Sequence, residues 1–370
     1  MKKIYKIMPF ALAAILVGCN KYLDREPLSD ITPQQYFNTE GELGDYVITR
    51  YDFPSHLDWN AGTFILDNDT DNQATADANG RWHKDQWKVP EKNNKISDET
   101  NSDYAFGKIR DINYFLQQVE PKYAERKIAG NETNIKHYIG EAYFLRAYQY
   151  FNKLKAFGDY PILKEVLPDD KDKLIEAAKR RPQNEVAHFI LEDLDKAISM
   201  LKSSPVEGKN RISKEVAQLF RSRVALYEGT WLKYHKGTAR VPGGPGWPGA
   251  KMDYLSGFTI NIDSEIDYFL TEAMASAKEV AEKFSLTDNN HNVDWTNTNI
   301  FDNPYFKMFG DVNMTGYSEI LLWRQYNSQF IGHHTMGYLT QGANSGYTKG
   351  FVDTFLMKSG LPYYAAGTDY

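Results

Sequence analysis

Residues 132–161 read ETNIKHYIGEAYFLRAYQYFNKLKAFGDYP, and the fold is decided by how this stretch is understood. Ile135, Tyr138, Ala142, Leu145 and Tyr148 recur at spacings of three and four, the period of one face of an α-helix. The pattern extends to Phe157, where Gly158-Asp159-Tyr160-Pro161 stops it. A glycine just past the last periodic residue, with a proline soon after, is a helix end. A helix of this length with one apolar face needs neighbours to cover it.

The neighbours follow in series. Val186, Ile190, Leu194, Ala197 and Leu201 outline a second helix, preceded by Pro182 and ended near Pro205. Ser213 is placed to cap a third, carrying Val216, Phe220, Val224 and Tyr227. Asp263 is expected to cap a fourth, with a broad stripe of Ile266, Phe269, Leu270, Ala273, Met274, Ala277, Val280 and Phe284. Upstream, Ser102 to Val119 predicts a helix with Tyr104, Gly107, Ile109, Ile112, Phe115, Leu116 and Val119 near one face, and Pro33 to Asn38 a short one. Ala142, Ala147, Ala197, Ala217, Ala273 and Ala277 suit positions where helices approach closely. The expectation is a mostly α fold, a tetratricopeptide-like scaffold of helical pairs.

Long irregular segments interrupt this scaffold. Thr63 to Asn94 is dense in Asp, Asn and Gly, and Gly244-Pro245-Gly246-Trp247-Pro248-Gly249 forms a Gly/Pro loop. Beyond residue 285 the texture turns to short aromatic runs, Trp295–Ile300, Glu319–Arg324 and Phe330–Leu339, read as loops and a few short strands. A rigid frame carrying long loops places function on the loops.

The N-terminus is a different kind of sequence. Lys2, Lys3 and Lys6 precede an apolar run from Ile7 to Val17 interrupted only by Pro9, too short to span a bilayer and typical of a secretory signal peptide. It ends in Leu16-Val17-Gly18-Cys19, which resembles a lipobox, the cysteine being the acylation site. Cys19 is the one cysteine of the chain, so intramolecular disulfides and cysteine-rich metal clusters are excluded. The expected organisation is a leader over 1–18, a lipidated tether over 19–32 that holds the protein at a membrane, and a mature part over 33–370. That part is long enough for one large domain or two smaller ones, and the family resemblance set out below makes it one domain at the outer membrane.

Removal of Lys2, Lys3 and Lys6 leaves 40 basic side chains against 49 acidic ones, about nine negative charges. Nucleic acid, which needs clustered Lys and Arg, is not an expected partner. HExxH, CxxC and GxSxG are absent. Residues 244–249 formally fit GxGxxG, but Pro245 and Pro248 remove two of the amides a phosphate cradle requires. His333-His334 on a strand would point to opposite faces, which suits polar surface better than metal ligation. Asp67-Asn68-Asp69-Thr70-Asp71 resembles the opening of a calcium loop but lacks the Gly and Glu of an EF-hand. No cofactor is expected, with calcium held by Asp67, Asp69, Asp71 and distant carbonyls as the alternative. Two carboxylates for glycoside hydrolysis cannot be chosen from 49 acids without geometry.

Four stretches carry a family resemblance. Residues 19–27, CNKYLDREP, are similar to the start of mature SusD-like proteins. Residues 140–148, GEAYFLRAY, running to Gly158-Asp159-Tyr160-Pro161, resemble the most recognisable stretch of the SusD/RagB-like family. Arg211-Ile212-Ser213-Lys214 resembles the lead-in to the next helix, and Ser318-Glu319-Ile320-Leu321-Leu322 a strand after the long loops. The resemblance implies a surface lipoprotein that captures oligosaccharide or peptide for a SusC-like TonB-dependent outer-membrane transporter, and is not an enzyme. It also implies a further helical pair after Tyr370, so the chain is expected to be truncated at its C-terminus.

Capture of a sugar needs flat aromatic faces beside planar polar groups. Trp82 and Trp87, with Arg81, Asp67 and Asp69 nearby, lie in the loop-rich segment that in the family contributes to the ligand surface. Trp247 joins them as a candidate, because a buried role is hard to arrange in so glycine-rich a loop. Trp295 and Trp323 adjoin strand-like runs and are expected in the core. The rival readings are a secreted, lipid-anchored glycoside hydrolase and an interaction scaffold without a small ligand.

Overall fold

In the computed structural model of the protein, residues 36–54, 67–68, 70–75, 105–290, 303–326 and 345–367 are described. Among them the chain is mostly helical. The first described helix is α1 (Glu40–Ile48); of the segment 33–38 read as a short helix, residues 36–38 are described and are not helical. Thr39 and Glu42 form a capping box, the Thr39 hydroxyl accepting from the Glu42 amide and the Glu42 carboxylate from the Thr39 amide. The T-x-x-E spacing fixes the start.

Five helices make the scaffold: α2 (Gly107–Ala124), α3 (Glu132–Phe157), α5 (Gln183–Met200), α6 (Lys214–His235) and α7 (Ile262–Ala281). A short α4 (Lys171–Ala177) lies between α3 and α5. Packing runs in chain order, α2 on α3, α3 on α5, α5 on α6 and α6 on α7, with α1 laid against α3. This is the stacking that helical pairs produce. Asn131 caps α3, and Gly158 ends it at φ 67° and ψ −102°, a positive-φ backbone conformation that suits glycine. Ser213 caps α6 as the sequence predicts. Asn261, not Asp263, caps α7, because the helix begins one residue before Asp263. The buried face of α7 is also narrower than expected: Ile266, Phe269, Ala273, Ser276 and Val280 turn inward, while Met274 is 66% exposed.

The small residues do as their size allows. Ala142, Ala147, Ala197, Ala217 and Ala273 are buried. At Gly229 a Cβ would stand 2.9 Å from Leu270 side-chain carbons and 3.2 Å from the Leu270 amide, so α6 and α7 approach as closely as backbones can.

Two features of the C-terminal part correct the sequence reading. Pro304–Gly310 forms a helix, α8, with Asn303 accepting from the amides of Tyr305 and Phe306. Ser318 to Leu322 forms no strand ladder; it runs irregularly toward Trp323, whose amide donates to the Lys209 carbonyl (3.0 Å) and whose carbonyl accepts from Asn210 (3.0 Å). That fastening leans Leu321 and Leu322 on the core without a neighbouring strand. Trp323 is half-buried there. Trp295, His333 and His334 lie outside the described residues.

Candidate functional site

The loop-rich segment expected to hold ligand is described only at its start, and there it meets a part of the chain far away in sequence. Strand β1 (Gln73–Thr75) pairs antiparallel with β2 (Ser345–Tyr347), with Gln73 opposite Tyr347 and Thr75 opposite Ser345. The approach to β1 is a closed turn: the Thr70 amide and hydroxyl both donate to the Asp67 carbonyl (3.2 and 2.7 Å), and the Asn72 amide donates to the Thr70 hydroxyl (3.1 Å). Asn68 ties turn and sheet together, its side-chain oxygen accepting from Gln73 (2.6 Å) and Ser345 (2.8 Å). The Thr348 amide donates to the Asn72 carbonyl (2.9 Å), and its hydroxyl to the Asp71 carbonyl.

Thr348 also caps the four-residue helix α9 (Lys349–Val352), and the cap sets an aromatic cluster beside the sheet. Tyr347, Phe351 and Phe355 meet in tilted and edge-on pairs, with centroids 5.1 to 6.3 Å apart. Tyr347 is 66% exposed and Phe355 48%, so the cluster stands on the surface. Lys349 and Asp353 pair one turn apart (2.6 Å), which lowers the Asp353 carboxyl from its ordinary value and raises Lys349. Asp67 and Asp71 lie exposed on the turn that leads into β1. The surface thus joins broad ring faces to carboxylate acceptors and turn hydroxyls.

Of the residues singled out from sequence, Asp67 stands on this surface. Asp69, Arg81, Trp82, Trp87 and Cys19 lie outside the described residues. Asp69 belongs to the calcium alternative as well; among the described residues no group of three His, Asp or Glu is placed to hold a metal. Sequence reasoning missed Tyr347, Phe351 and Phe355 altogether. The one signal was the S-G-Y-T run at 345–348, where a short strand gives way to a threonine cap.

Trp247 is a correction. The Gly/Pro loop does not present it to solvent: its ring is 4% exposed and packs on Phe258 (5.2 Å). The Trp247 amide donates to the Gly244 carbonyl (3.0 Å), a turn that points the indole inward, and a Cβ at Gly249 would collide with the ring at 2.2 Å. The glycines give the ring room instead of exposing it. Its indole N–H donates to Asp159 (2.8 Å), the aspartate of the motif that ends α3. Asp159 also accepts from the Gln183 amide at the start of α5 (2.8 Å), and burial raises its carboxyl from the ordinary value.

The other motif residues are structural too. Arg146 makes a bidentate pair with Asp193 (2.7 and 2.8 Å) and donates to Asn113 (2.9 Å), joining α3 to α5 and α2. Glu141 accepts from Arg211 (2.9 and 3.1 Å) and from the Tyr51 hydroxyl (2.7 Å), joining α3 to the lead-in of α6. Burial opposes the Arg211 charge, but Glu141 outweighs it and raises the guanidinium still higher. The stretch that carries the family resemblance is therefore a buried ionic frame.

Comparison with known proteins agrees with this frame. A family model for SusD-like proteins, described as starch-binding and associating with the outer membrane, matches residues 21–226, more than half of the 370. A SusD-like protein from Formosa agariphila, designated P2, is 26% identical over 238 residues, covering 63% of this chain and 45% of its own. Among solved structures, a SusD-like protein from Bacteroides fragilis superposes with a TM-score of 0.58 at 21% identity, over 91% of this chain and 57% of its own. A SusD-like carbohydrate-binding protein from the same organism gives 0.57 at 15%, over 88% and 55%. At such identities the likeness speaks for the fold, and the chain spans about half the length of these relatives. The match over residues 21–226 and the shared fold together make the chain a member of the SusD-like family.

Proposed function

We propose that this protein is a non-catalytic glycan-binding lipoprotein of the outer-membrane surface that passes oligosaccharide to a TonB-dependent transporter of the SusC type. The observation that carries the glycan part is the exposed cluster of Tyr347, Phe351 and Phe355 at a small sheet whose lead-in turn carries the exposed Asp67 and Asp71. Pyranose C–H faces stack on aromatic rings, and hydroxyls take planar acceptors. The family's starch-binding description and the carbohydrate-binding relative from Bacteroides fragilis support a glycan over a peptide. Trp82, Trp87 and Arg81 are proposed as further glycan contacts, and Cys19 as the lipid anchor. No sequence signature of catalysis accompanies these residues.

Native affinity electrophoresis against a panel of neutral polysaccharides, amylopectin among them, tests the reading. The protein is expected to be retarded by at least one and to release no reducing ends from it on long incubation. Retardation by none of them, or reducing ends whose release a carboxylate substitution abolishes, contradicts it.

A further inference from the structure

Between α3 and α5 the chain makes an excursion over residues 160–181, closed at its neck by paired backbone hydrogen bonds between Tyr160 and Arg181 (3.1 and 3.0 Å). The excursion folds back over the first turns of α2 and leaves a cleft of about 320 Å³, within the range of about 300–1,000 Å³ typical of small-molecule sites. Three segments converge on it, each with one face. Phe106, Arg110 and Asn113 are spaced four and three apart along α2 and the residue before it; Leu163, Glu165 and Leu167 alternate along the strap; Leu174 and Ala177 lie on α4, with Ala178 just after it.

The strap is held firmly. The Asn113 side-chain NH2 donates to the carbonyls of Leu163 (2.9 Å) and Glu165 (3.3 Å), and the Tyr150 hydroxyl accepts from the Leu163 backbone amide (2.7 Å). Arg146 donates to the Asn113 oxygen (2.9 Å) and to the Lys164 carbonyl (3.3 Å). These bonds occupy Asn113, the polar side chain at the floor, and most of the remaining interior wall is apolar. Helix α4 has no buried residue, and Leu174 stands 41% exposed over the gap. At the rim lie the exposed side chains of Arg110 and Glu165, of opposite charge and not in ion-pair contact with each other or with any described residue.

We infer that this cleft is a second binding site, separate from the aromatic surface, for a neutral amphiphile: an apolar tail inside and a hydroxyl-bearing head at the rim. The apolar walls select the tail. The rim selects the head, since a hydroxyl needs one acceptor and one donor, which Glu165 and Arg110 supply together, whereas a charged head meets one of them with the wrong sign. A sugar carrying an alkyl or aryl substituent has this chemistry. The assignment does not depend on the glycan reading of the β1–β2 surface.

Calorimetric titration with octyl β-glucoside below its micellar concentration is the test, with glucose, octanoate and octylammonium as the other arms. The glucoside is expected to bind with 1:1 stoichiometry, glucose not measurably, and the two charged octyl compounds at least ten-fold more weakly. Ala177→Trp, which fills the cleft from a peripheral helix, is expected to abolish glucoside binding with the circular-dichroism melting curve unchanged. Arg110→Met is expected to weaken it several-fold. Equal binding of octanoate overturns the neutral head, and glucoside binding that survives Ala177→Trp overturns the site.

Discussion

Among single residues, Glu228 has the clearest consequence. It lies fully buried in α6, with one oxygen accepting from Gln183 (2.8 Å) and the other without a hydrogen-bond partner. Burial, with Glu265 and Asp159 nearby, pushes its carboxyl up from 4.5 to about 8, against the pull of the Gln183 amide. A folded-state value above the unfolded one means that the protonated acid favours folding. That contribution is complete below about pH 4.5 and is lost as pH rises toward 8. Glu228→Gln keeps the shape and removes the proton dependence. Denaturant unfolding at pH 5 and pH 8 is expected to show the parent losing up to a few kcal/mol over that interval, at about 1.4 kcal/mol for each tenfold difference in proton affinity between the folded and unfolded chain. The variant is expected to lose markedly less, and parallel pH profiles would refute the burial argument. Trp247 and Asp159 belong to the same scale: a glycine-rich loop reads as exposed until a buried acceptor for the indole is known.

At the scale of elements, α3 is the hub, and its charged residues hold the neighbouring helices. Removing one member of a buried pair strands the other, at a cost of about 3–5 kcal/mol. Asp193→Ala is therefore expected to destabilise the protein by that amount, while the double variant Arg146→Met/Asp193→Leu recovers much of the loss. Thermal unfolding of both decides the matter, and an unchanged melting temperature for Asp193→Ala would show that the pair bears no weight. The helices themselves were legible in sequence, because period, cap and stop agree along α3, α5 and α6. The capping box at Thr39 and Glu42 and the Asn303-Pro304 start of α8 are equally local signals, each a side-chain oxygen placed to take the first free amides of a helix. The pairing of β1 with β2 was not legible, since two three-residue strands some 270 residues apart carry no periodic signal that relates them. For the same reason Tyr347, Phe351 and Phe355 do not stand out in sequence as a site, and Ser318–Leu322, apolar enough for a strand, leans on the helical core instead.

Over the whole molecule, a helical frame closed by buried ion pairs carries surface segments from both ends of the chain to one place. The acidic balance does not suit a polyanionic partner. Among the described residues no helix is long and apolar enough to cross a membrane. Retention by lipid at Cys19 predicts that Cys19→Ala moves the protein into the soluble fraction when it is produced without a transporter partner. Persistence with the outer membrane under those conditions contradicts the anchor.

Whether the aromatic surface at β1 and β2 binds glycan is decided by calorimetric titration of a Tyr347→Ala/Phe355→Ala variant with a retarding polysaccharide. Affinity is expected to weaken by about 1–3 kcal/mol for each stacking ring removed, the scale of aromatic stacking in general, with thermal stability nearly unchanged. Parent-like affinity in a folded double variant would contradict it and place the glycan on another surface.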